Sequence, residues 1–395
     1  MQPPPRRTAP AAGADVRGHN ASLVLLEIAG AGTDHRSRAQ VAAATGLTRA
    51  TVSTLVDELT GAGLVEELPA SASTGRPGRP GSPLRIAAGA PVAVGVEIDA
   101  DVIALTAMTL DSRVLVRRRM PDDLHDSHPG PVLRRIAREV AELDLPGPVA
   151  GVGVAVAGLV DAEGLLRRAP NLVHWRDIDI AAPLREATGV PVTVDNDANL
   201  AALAHRDAGR RTDFVVVSGE IGVGAGLVLG GQVFRGGHGF AGEFGHVVVD
   251  PRGPQCGCGG SGCVEQYASE AALAHGVGLA PPFGPAERTA LVRAAATGGP
   301  AARAAVRRAG RALGVALASL INLVDIDDVV FAGVFADLFE QLEPVVDDEL
   351  TRRVPGREPR LSASTLGEDA PMHGAATTIV QQVLHDPLEL VRASA

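Results

Sequence analysis

The sequence contains two glycine-rich segments in close succession, Gly236-Gly-His-Gly-Phe-Ala-Gly-Glu-Phe-Gly-His246 and Cys256-Gly-Cys-Gly-Gly-Ser-Gly-Cys-Val-Glu265. The second segment holds every cysteine of the 395-residue chain. One imidazole and three thiolates form a closed tetrahedral set that is typical of structural zinc, and the glycines allow the tight turns that such a set requires. The alternative is three reduced, partly buried thiols without a metal. The pattern favours a structural Zn²⁺ held by His246, Cys256, Cys258 and Cys263.

Strand-like and helix-like segments alternate on both sides of this region. Residues 92–98 and 102–109 alternate like an antiparallel hairpin, and residues 149–156 form an apolar run that is typical of a buried strand. A long helix is predicted over residues 301–323 and a closing helix over 374–391. Such alternation over about 300 residues indicates an α/β architecture.

The first 90 residues have a different character. They carry nine arginines and seven acidic residues, whereas the remainder carries 27 and 39. A net charge of −10 therefore argues against nucleic-acid binding by the whole chain but allows it through the N-terminal part. No apolar run reaches the roughly 20 residues of a membrane span, and the start lacks a signal-peptide pattern, so we expect a cytoplasmic protein without a membrane partner.

Three helices and a hairpin are predicted near the N-terminus. Ser37 and Gln40 fit a capping box at the start of a helix, Gly46 makes a turn, and Thr48 caps the next helix. Two strands follow around a tip rich in glycine and proline, so the order of elements predicts a winged helix-turn-helix.

The second helix of such a motif enters the major groove with its N-terminal residues facing the bases. Arginine can contact guanine there, and a glycine- and proline-rich wing tip can carry arginines into a minor groove; the alternative for the tip is a flexible linker. The DNA contacts that we predict are Ser37, Arg38, Thr48, Arg49, Thr51, Val52 and Ser53 in the helices, and Arg76 and Arg79 in the wing.

A further motif, Val194-Asp-Asn-Asp-Ala-Asn199, follows a predicted strand and enters a helix. An amide beside a carboxylate can grip vicinal hydroxyls, because the amide donates and the carboxylate accepts hydrogen bonds. Glu243 and Glu265, which flank the zinc loop, can accept from further hydroxyls. Any one of these acids alone is most simply a solvated surface charge.

Together, the two glycine-rich segments and this motif resemble the ROK family of repressors, open reading frames and sugar kinases, and the winged helix resembles that of its repressor branch. The resemblance implies an actin-like ATPase fold of two α/β lobes with a sugar in the cleft. It implies sugar contacts by Asn196, Asp197, Glu243, His246 and Glu265. It also implies that Asp197 is the catalytic base if the protein is a kinase, and that zinc positions the loop bearing Glu243 and His246.

Composition and the order of predicted elements set the N-terminal domain boundaries, and the resemblance implies the two lobes. We expect a disordered tail over residues 1–17 and a winged helix-turn-helix over 18–88. The first lobe is expected to comprise residues 89–197 and 370–395, and the second lobe, with the zinc loop and sugar site, residues 198–369.

The phosphate-binding loops depart from the family's kinases. The kinase turn Asp-x-Gly-Gly-Thr corresponds here to Glu97-Ile-Asp-Ala-Asp101, and the second loop to Gly219-Glu-Ile-Gly-Val-Gly-Ala-Gly226. Both changes add carboxylates where phosphates would bind, and like charges in such a place cost several kcal/mol. We therefore expect a pocket that binds sugar without phosphorylating it.

The sequence thus predicts a sugar-responsive transcriptional repressor that acts as a homodimer or homotetramer on operator DNA. Release from DNA on sugar binding is carried over from the family. Two alternatives remain, namely an active ATP-dependent sugar kinase and a regulator controlled by a partner protein with a vestigial sugar site.

Overall fold

The computed structural model describes residues 16–69, 82–209, 212–280 and 285–389. The N-terminal part is a three-helix unit with a small antiparallel sheet in the order β1–β3–β2. Its elements are α1 (Val16–Gly30), β1 (Arg36–Ser37), α2 (Arg38–Thr45), α3 (Arg49–Gly61), β2 (Val65–Glu67) and β3 (Pro83–Ile86).

The predicted helix starts of this unit are confirmed. Ser37 and Gln40 form the reciprocal capping box, and the Thr48 hydroxyl accepts a hydrogen bond from the backbone N–H of Thr51. Gly46 takes a left-handed conformation at the end of α2, which a residue with a side chain rarely adopts. Local hydrogen bonding therefore fixes the helix-turn-helix.

One boundary of the predicted tail was wrong. Helix α1 begins at Val16, so the last two residues of the segment expected to be disordered are helical. Arg17 in its first turn forms an ion pair with Glu58 of α3. A contact 41 positions away gives this turn a partner that a local reading of the sequence does not reveal.

The next unit is built on a five-stranded sheet in the order β11–β7–β4–β5–β6. Strands β4 and β5 pair antiparallel, as the alternation predicts, while β4, β7 and β11 run parallel. Its elements are β4 (Val92–Asp99), β5 (Val102–Met108), β6 (Val114–Pro121), α4 (Pro129–Ala141), β7 (Val149–Val156), β8 (Leu159–Val160), β9 (Leu166–Arg168), β10 (Arg176–Ile178), α5 (Ala181–Thr188) and β11 (Val192–Asn196).

A second five-stranded sheet follows, in the order β14–β13–β12–β15–β16. Strands β12, β15 and β16 are parallel, and β13 and β14 add an antiparallel edge. The remaining elements are α6 (Asp197–Gly209), β12 (Phe214–Gly219), β13 (Val223–Leu229), β14 (Gln232–Val233), α7 (Glu265–Ala268), α8 (Glu270–Gly276), α9 (Pro285–Thr297), α10 (Pro300–Val324), β15 (Asp328–Gly333), α11 (Val334–Asp337), α12 (Phe339–Arg353), β16 (Arg360–Ala363) and α13 (Ala370–His385).

Helices α6 and α13 pack tightly where the two sheets meet. A Cβ atom at Gly153 of β7 would lie 2.0 Å from the carbonyl oxygen of Ala375, and one at Gly374 would lie 1.8 Å from that of Leu200. Only glycine permits such an approach of helix to strand and of helix to helix. The closing helix α13 thereby lies against the first sheet, while α6 connects that sheet to the second. Within the described residues, no helix is long and apolar enough to cross a membrane.

Candidate functional site

The structure brings His246, Cys256, Cys258 and Cys263 together in one cluster. Their ligand atoms all lie within 4.8 Å of one another. The Sγ atoms of Cys258 and Cys263 are 3.7 Å apart, and Nδ1 of His246 is 3.8 Å from Sγ of Cys256. Ligands about 2.3 Å from a tetrahedral zinc ion are separated by roughly 3.8 Å, whereas a disulfide needs about 2.05 Å. The donor set therefore fits a metal ion and does not fit a disulfide.

Close backbone packing shapes the loop that carries the thiols. Gly262 has a φ of 71°, and a Cβ atom there would lie 1.6 Å from the carbonyl oxygen of Asp250. Short bridges pair Val248 with Cys263 and Gln255 with Ser261. The loop is thus folded back on itself, which aims the thiols at a common point.

His246 connects this cluster to the predicted sugar residues. While Nδ1 faces the sulfur of Cys256, the Nε2 atom lies 3.8 Å from Oε2 of Glu243. About 42% of the Glu243 side chain and 35% of the His246 side chain are exposed, so both are accessible. Glu265 lies at the start of α7, with Oε2 close against Gly222.

Asp197 begins α6 at the end of β11 and faces the same region. Burial, followed by the negative charges of Glu220 and Asp99, raises the pKa of Asp197 well above its ordinary value, and Glu243 adds to this effect. Burial has the largest effect on Glu243 and raises its pKa. The charge of His246 lowers this pKa, and the negative charge of Glu265 raises it further. The acids among the predicted sugar residues are therefore within electrostatic range of one another.

Asn196 is committed to internal contacts. Its Nδ2 donates to the carbonyl oxygen of Gly158 at 3.0 Å and to Oδ1 of Asp197 at 2.7 Å, and its Oδ1 accepts from the backbone N–H of Asn199. Both amide hydrogens have acceptors, so in this conformation Asn196 orients Asp197. A sugar hydroxyl would have to replace one of these partners to be bound by the Asn196 amide.

The region that corresponds to the phosphate loops is crowded with carboxylates. Glu97 is 4% exposed, and burial together with Glu220 raises its pKa well above the usual range. Burial and the charge of Asp99 raise the pKa of Glu220 to about 7. Arg119 lies 3.3 Å from Glu97 and partly offsets these charges. A phosphate placed here would meet either ionised carboxylates or acids that have to remain protonated, in a poorly solvated place.

Sequence reasoning missed the arginines of this region. Arg119 also contacts the carbonyl oxygen and the side chain of Glu368, and Arg288 contacts Glu368 at 3.3 Å and Asp337 at 2.8 Å. The partners are up to 249 positions apart in the chain, so no local sequence pattern predicts these ion pairs. Both guanidinium groups already have carboxylate partners.

Another missed contact lies beside the sugar motif. Arg235, directly before the first glycine-rich segment, forms an ion pair with Asp195 at 2.7 Å. A cavity of about 200 Å³ adjoins this pair, with Thr193 and Thr378 in its lining, but none of the five predicted sugar residues lines it. The predicted sugar residues therefore lie outside the lining of this cavity.

The predicted DNA contacts divide into four groups. Thr48 and Arg49 are exposed and Thr51 and Ser53 are partly exposed at the start of α3, and Arg49 makes no hydrogen bond or ion pair with any described residue. Val52 is fully buried in the core of the unit, so its assignment as a DNA contact was wrong. It lies on the inner face of the helix because one turn spans 3.6 residues. Arg76 and Arg79 fall outside the described residues.

Ser37 and Arg38, at the start of α2, both make contacts within the N-terminal unit. The Ser37 side chain caps α2. The Arg38 guanidinium donates to Glu67 at 2.7 Å, to Asp57 at 2.6 Å and to the carbonyl oxygen of Ser53. These contacts brace α3 against the hairpin, so Arg38 supports the recognition helix and its charge is compensated.

Comparisons with known proteins agree with this architecture. Residues 93–382 match the sequence profile of the ROK family, and residues 18–76 match that of the MarR family. The xylose repressor of Bacillus subtilis (strain 168) is 28% identical over 378 residues, which are 93% of this chain and 97% of that protein.

Two solved structures extend the comparison. A ROK family transcriptional regulator, a homolog of the E. coli MLC protein, superposes with a TM-score of 0.78 at 27% identity, covering 95% of this chain and 99% of that one. A ROK family glucokinase from Streptomyces griseus, in complex with glucose and AMPPNP, superposes with a TM-score of 0.61 at 28% identity, covering 73% of this chain and 98% of the kinase. The predicted sugar-kinase fold with a preceding winged helix is confirmed. Since the profile match spans well over half of its length, the chain belongs to the ROK family.

Proposed function

We propose that this protein is a sugar-responsive repressor of transcription that has no kinase activity. One observation supports the proposal: Glu97, Asp99 and Glu220 crowd the phosphate region, while Asp197, Glu243, His246 and Glu265 are each at least partly exposed. The first set disfavours a nucleotide, and the second set offers acceptors for sugar hydroxyls. The name of the Bacillus subtilis relative makes xylose the first sugar to test.

We propose that the winged helix supplies DNA binding through α3. The exposed start of α3 is where a recognition helix contacts base edges, and it carries Thr48, Arg49, Thr51 and Ser53. A single unit of this kind reads only a short half-site, so the functional form is a homodimer or homotetramer on operator DNA. Ser37 and Arg38 act indirectly by holding α2 and α3 in place. In this proposal the wing arginines, Arg76 and Arg79, add minor-groove contacts.

The metal that we propose for the His/Cys cluster is a structural Zn²⁺. His246, Cys256, Cys258 and Cys263 would hold it, and because the ligand set is closed, the ion would shape the loop and would not activate water. His246 can then present Nε2 beside Glu243 to a sugar while Nδ1 is fixed by the cluster. In this way a structural site orients two of the proposed sugar contacts.

Sugar controls DNA binding only if it binds one arrangement of the lobes more tightly than the other. The proposed contacts come from both sheets: Asp197 follows β11 of the first, whereas Glu243 follows β14 of the second. A sugar that engages both sides favours the arrangement in which they are close. We propose that this arrangement spaces the paired winged helices unfavourably for the operator, so that sugar releases DNA.

The test uses DNA selected by the purified full-length protein from fragments of its own genome. Binding to the best fragment is measured by fluorescence anisotropy with and without xylose, glucose and other common sugars. We expect at least one sugar to weaken DNA binding by tenfold or more. DNA binding that is unaffected by every sugar, in a protein that binds none of them calorimetrically, contradicts the proposal.

A second candidate function is sugar phosphorylation, and one observation favours it. The Asp197 carboxylate is retained with a raised pKa, as suits a general base. An assay of ADP release with ATP and hexoses or xylose distinguishes the two functions. Turnover that disappears in Asp197→Asn would establish a kinase.

A further inference from the structure

The side chain of Arg235 connects the two halves of the proposed sugar site. Its Nε and NH2 groups donate to Oδ2 of Asp195 at 2.8 Å and 2.7 Å. Asp195 belongs to β11 of the first sheet, and Arg235 follows β14 of the second. Only 14% of the Asp195 side chain is exposed, so the pair is partly shielded from water, and such a charge-assisted contact is stronger than one on the open surface.

The other oxygen of Asp195 holds the segment that carries Asp197. Oδ1 accepts hydrogen bonds from the backbone N–H of Asn196 at 2.8 Å and from Nδ2 of Asn199 at 3.1 Å. Asn196 in turn donates to Asp197. A continuous chain of hydrogen bonds therefore leads from the Arg235 guanidinium through Asp195 to the carboxylate of Asp197.

The backbone of Arg235 lies at the start of the loop that carries Glu243 and His246. Its carbonyl oxygen accepts a hydrogen bond from the backbone N–H of Ala241 at 3.1 Å. This contact closes the turn that leads into Glu243 and His246, and Gly236 within it has a φ of 72°. The same residue thus fixes the entry to the glycine-rich segment through its backbone and the first-sheet motif through its side chain.

We propose that Arg235 is a positioning residue that sets the spacing between Asp197 and the loop bearing Glu243 and His246, and thereby the affinity for sugar. The inference rests on the proposed function. Arg235 acts through Asp195 and Asn196 and does not itself bind the sugar. Preorganised contacts on both sides of a ligand raise affinity because less freedom is lost on binding.

The test measures sugar affinity by titration calorimetry of the full-length protein, with the sugar that binds wild type best. We expect Arg235→Met to weaken binding about tenfold and Arg235→Lys to lie in between, because an ammonium group keeps the charge and can donate to Asp195 but lacks the paired geometry of the guanidinium. The matched control is Arg360→Met. It removes another Arg–Asp pair, with Asp328 at 2.8 Å and 2.6 Å, at the edge strand β16, and is expected to leave sugar affinity unchanged.

A double variant tests whether the two residues act as a unit. Asp195→Asn combined with Arg235→Met is expected to weaken sugar binding no more than the stronger single change, since both remove one ion pair. Thermal unfolding without sugar is recorded for every variant, so that affinities are compared only between folded proteins, and the lysine variant serves if the methionine variant does not fold. Sugar affinity equal to that of wild type in both folded Arg235 variants overturns this inference alone. A wild-type protein that binds no sugar overturns the proposed function and this inference with it.

Discussion

The Nε2 atom of His246 lies 3.8 Å from Oε2 of Glu243, while the other ring nitrogen of His246 faces the cysteine cluster. One imidazole therefore lies between the cysteine cluster and Glu243. A ring fixed by a metal at Nδ1 cannot rotate, so the second nitrogen keeps its direction beside Glu243. The proposed metal site and the proposed sugar site are for this reason expected to respond together.

We first predict that loss of the metal weakens both stability and sugar binding. Cys258→Ser removes the exposed thiol ligand and is expected to lower the unfolding temperature by several degrees and sugar affinity at least tenfold, because metal binding contributes to folding. Differential scanning calorimetry, sugar titration and a metal assay check these outcomes. Ser261→Ala in the same loop is the control. Unchanged metal content and sugar affinity in Cys258→Ser would refute the role of the cluster.

Second, we predict that nucleotide binding is limited by the carboxylates. Wild type is expected to bind MgATP with a Kd above the millimolar range at pH 8, and Glu220→Gln combined with Glu97→Gln is expected to bind it about tenfold or more tightly, because the amides replace acids that must either repel the phosphates or take up a proton. Equilibrium dialysis with labelled ATP measures the difference. Glu186→Gln combined with Glu142→Gln, two exposed acids in α5 and just after α4, is the control for net charge. Tight nucleotide binding by wild type would argue for the kinase.

Third, we predict a pH-dependent stability cost at Glu220. Burial and Asp99 raise its pKa from 4.5 to about 7 in the folded protein. The fold therefore favours the protonated form, and the cost of the carboxylate grows as the pH rises from about 4.5 to about 7, reaching roughly 3 kcal/mol. Glu220→Gln is expected to unfold at higher urea concentration than wild type at pH 8, and at nearly the same concentration at pH 4.5. A difference that is constant with pH would contradict this assignment.

These predictions combine features that the sequence reveals with others that it does not. Ser37 and Thr48 were recognisable as helix caps because capping depends on residues three positions apart, and the β4–β5 hairpin because alternation is local. The pairs Arg235–Asp195 and Arg119–Glu368 were not recognisable, because they join elements 40 and 249 positions apart. Val52 shows a different limit: its place beside Thr51 in the chain suggested a DNA contact, whereas the helical period turns it into the core.

The last prediction concerns the recognition helix. Arg49 is exposed without a partner among the described residues, whereas Arg38 bridges Asp57 and Glu67. Arg49→Gln is therefore expected to weaken operator binding by about 1–3 kcal/mol without changing the unfolding temperature. Arg38→Gln is expected to lower the unfolding temperature as well, since it leaves two acids uncompensated. Anisotropy titrations over a range of salt concentrations and thermal unfolding separate the two effects.

Arg134→Gln, an exposed residue of α4, makes the same change in charge outside the winged helix and is expected to bind DNA like wild type. Equal losses of DNA affinity in Arg49→Gln and Arg134→Gln would show that net charge, and not the start of α3, governs the contact.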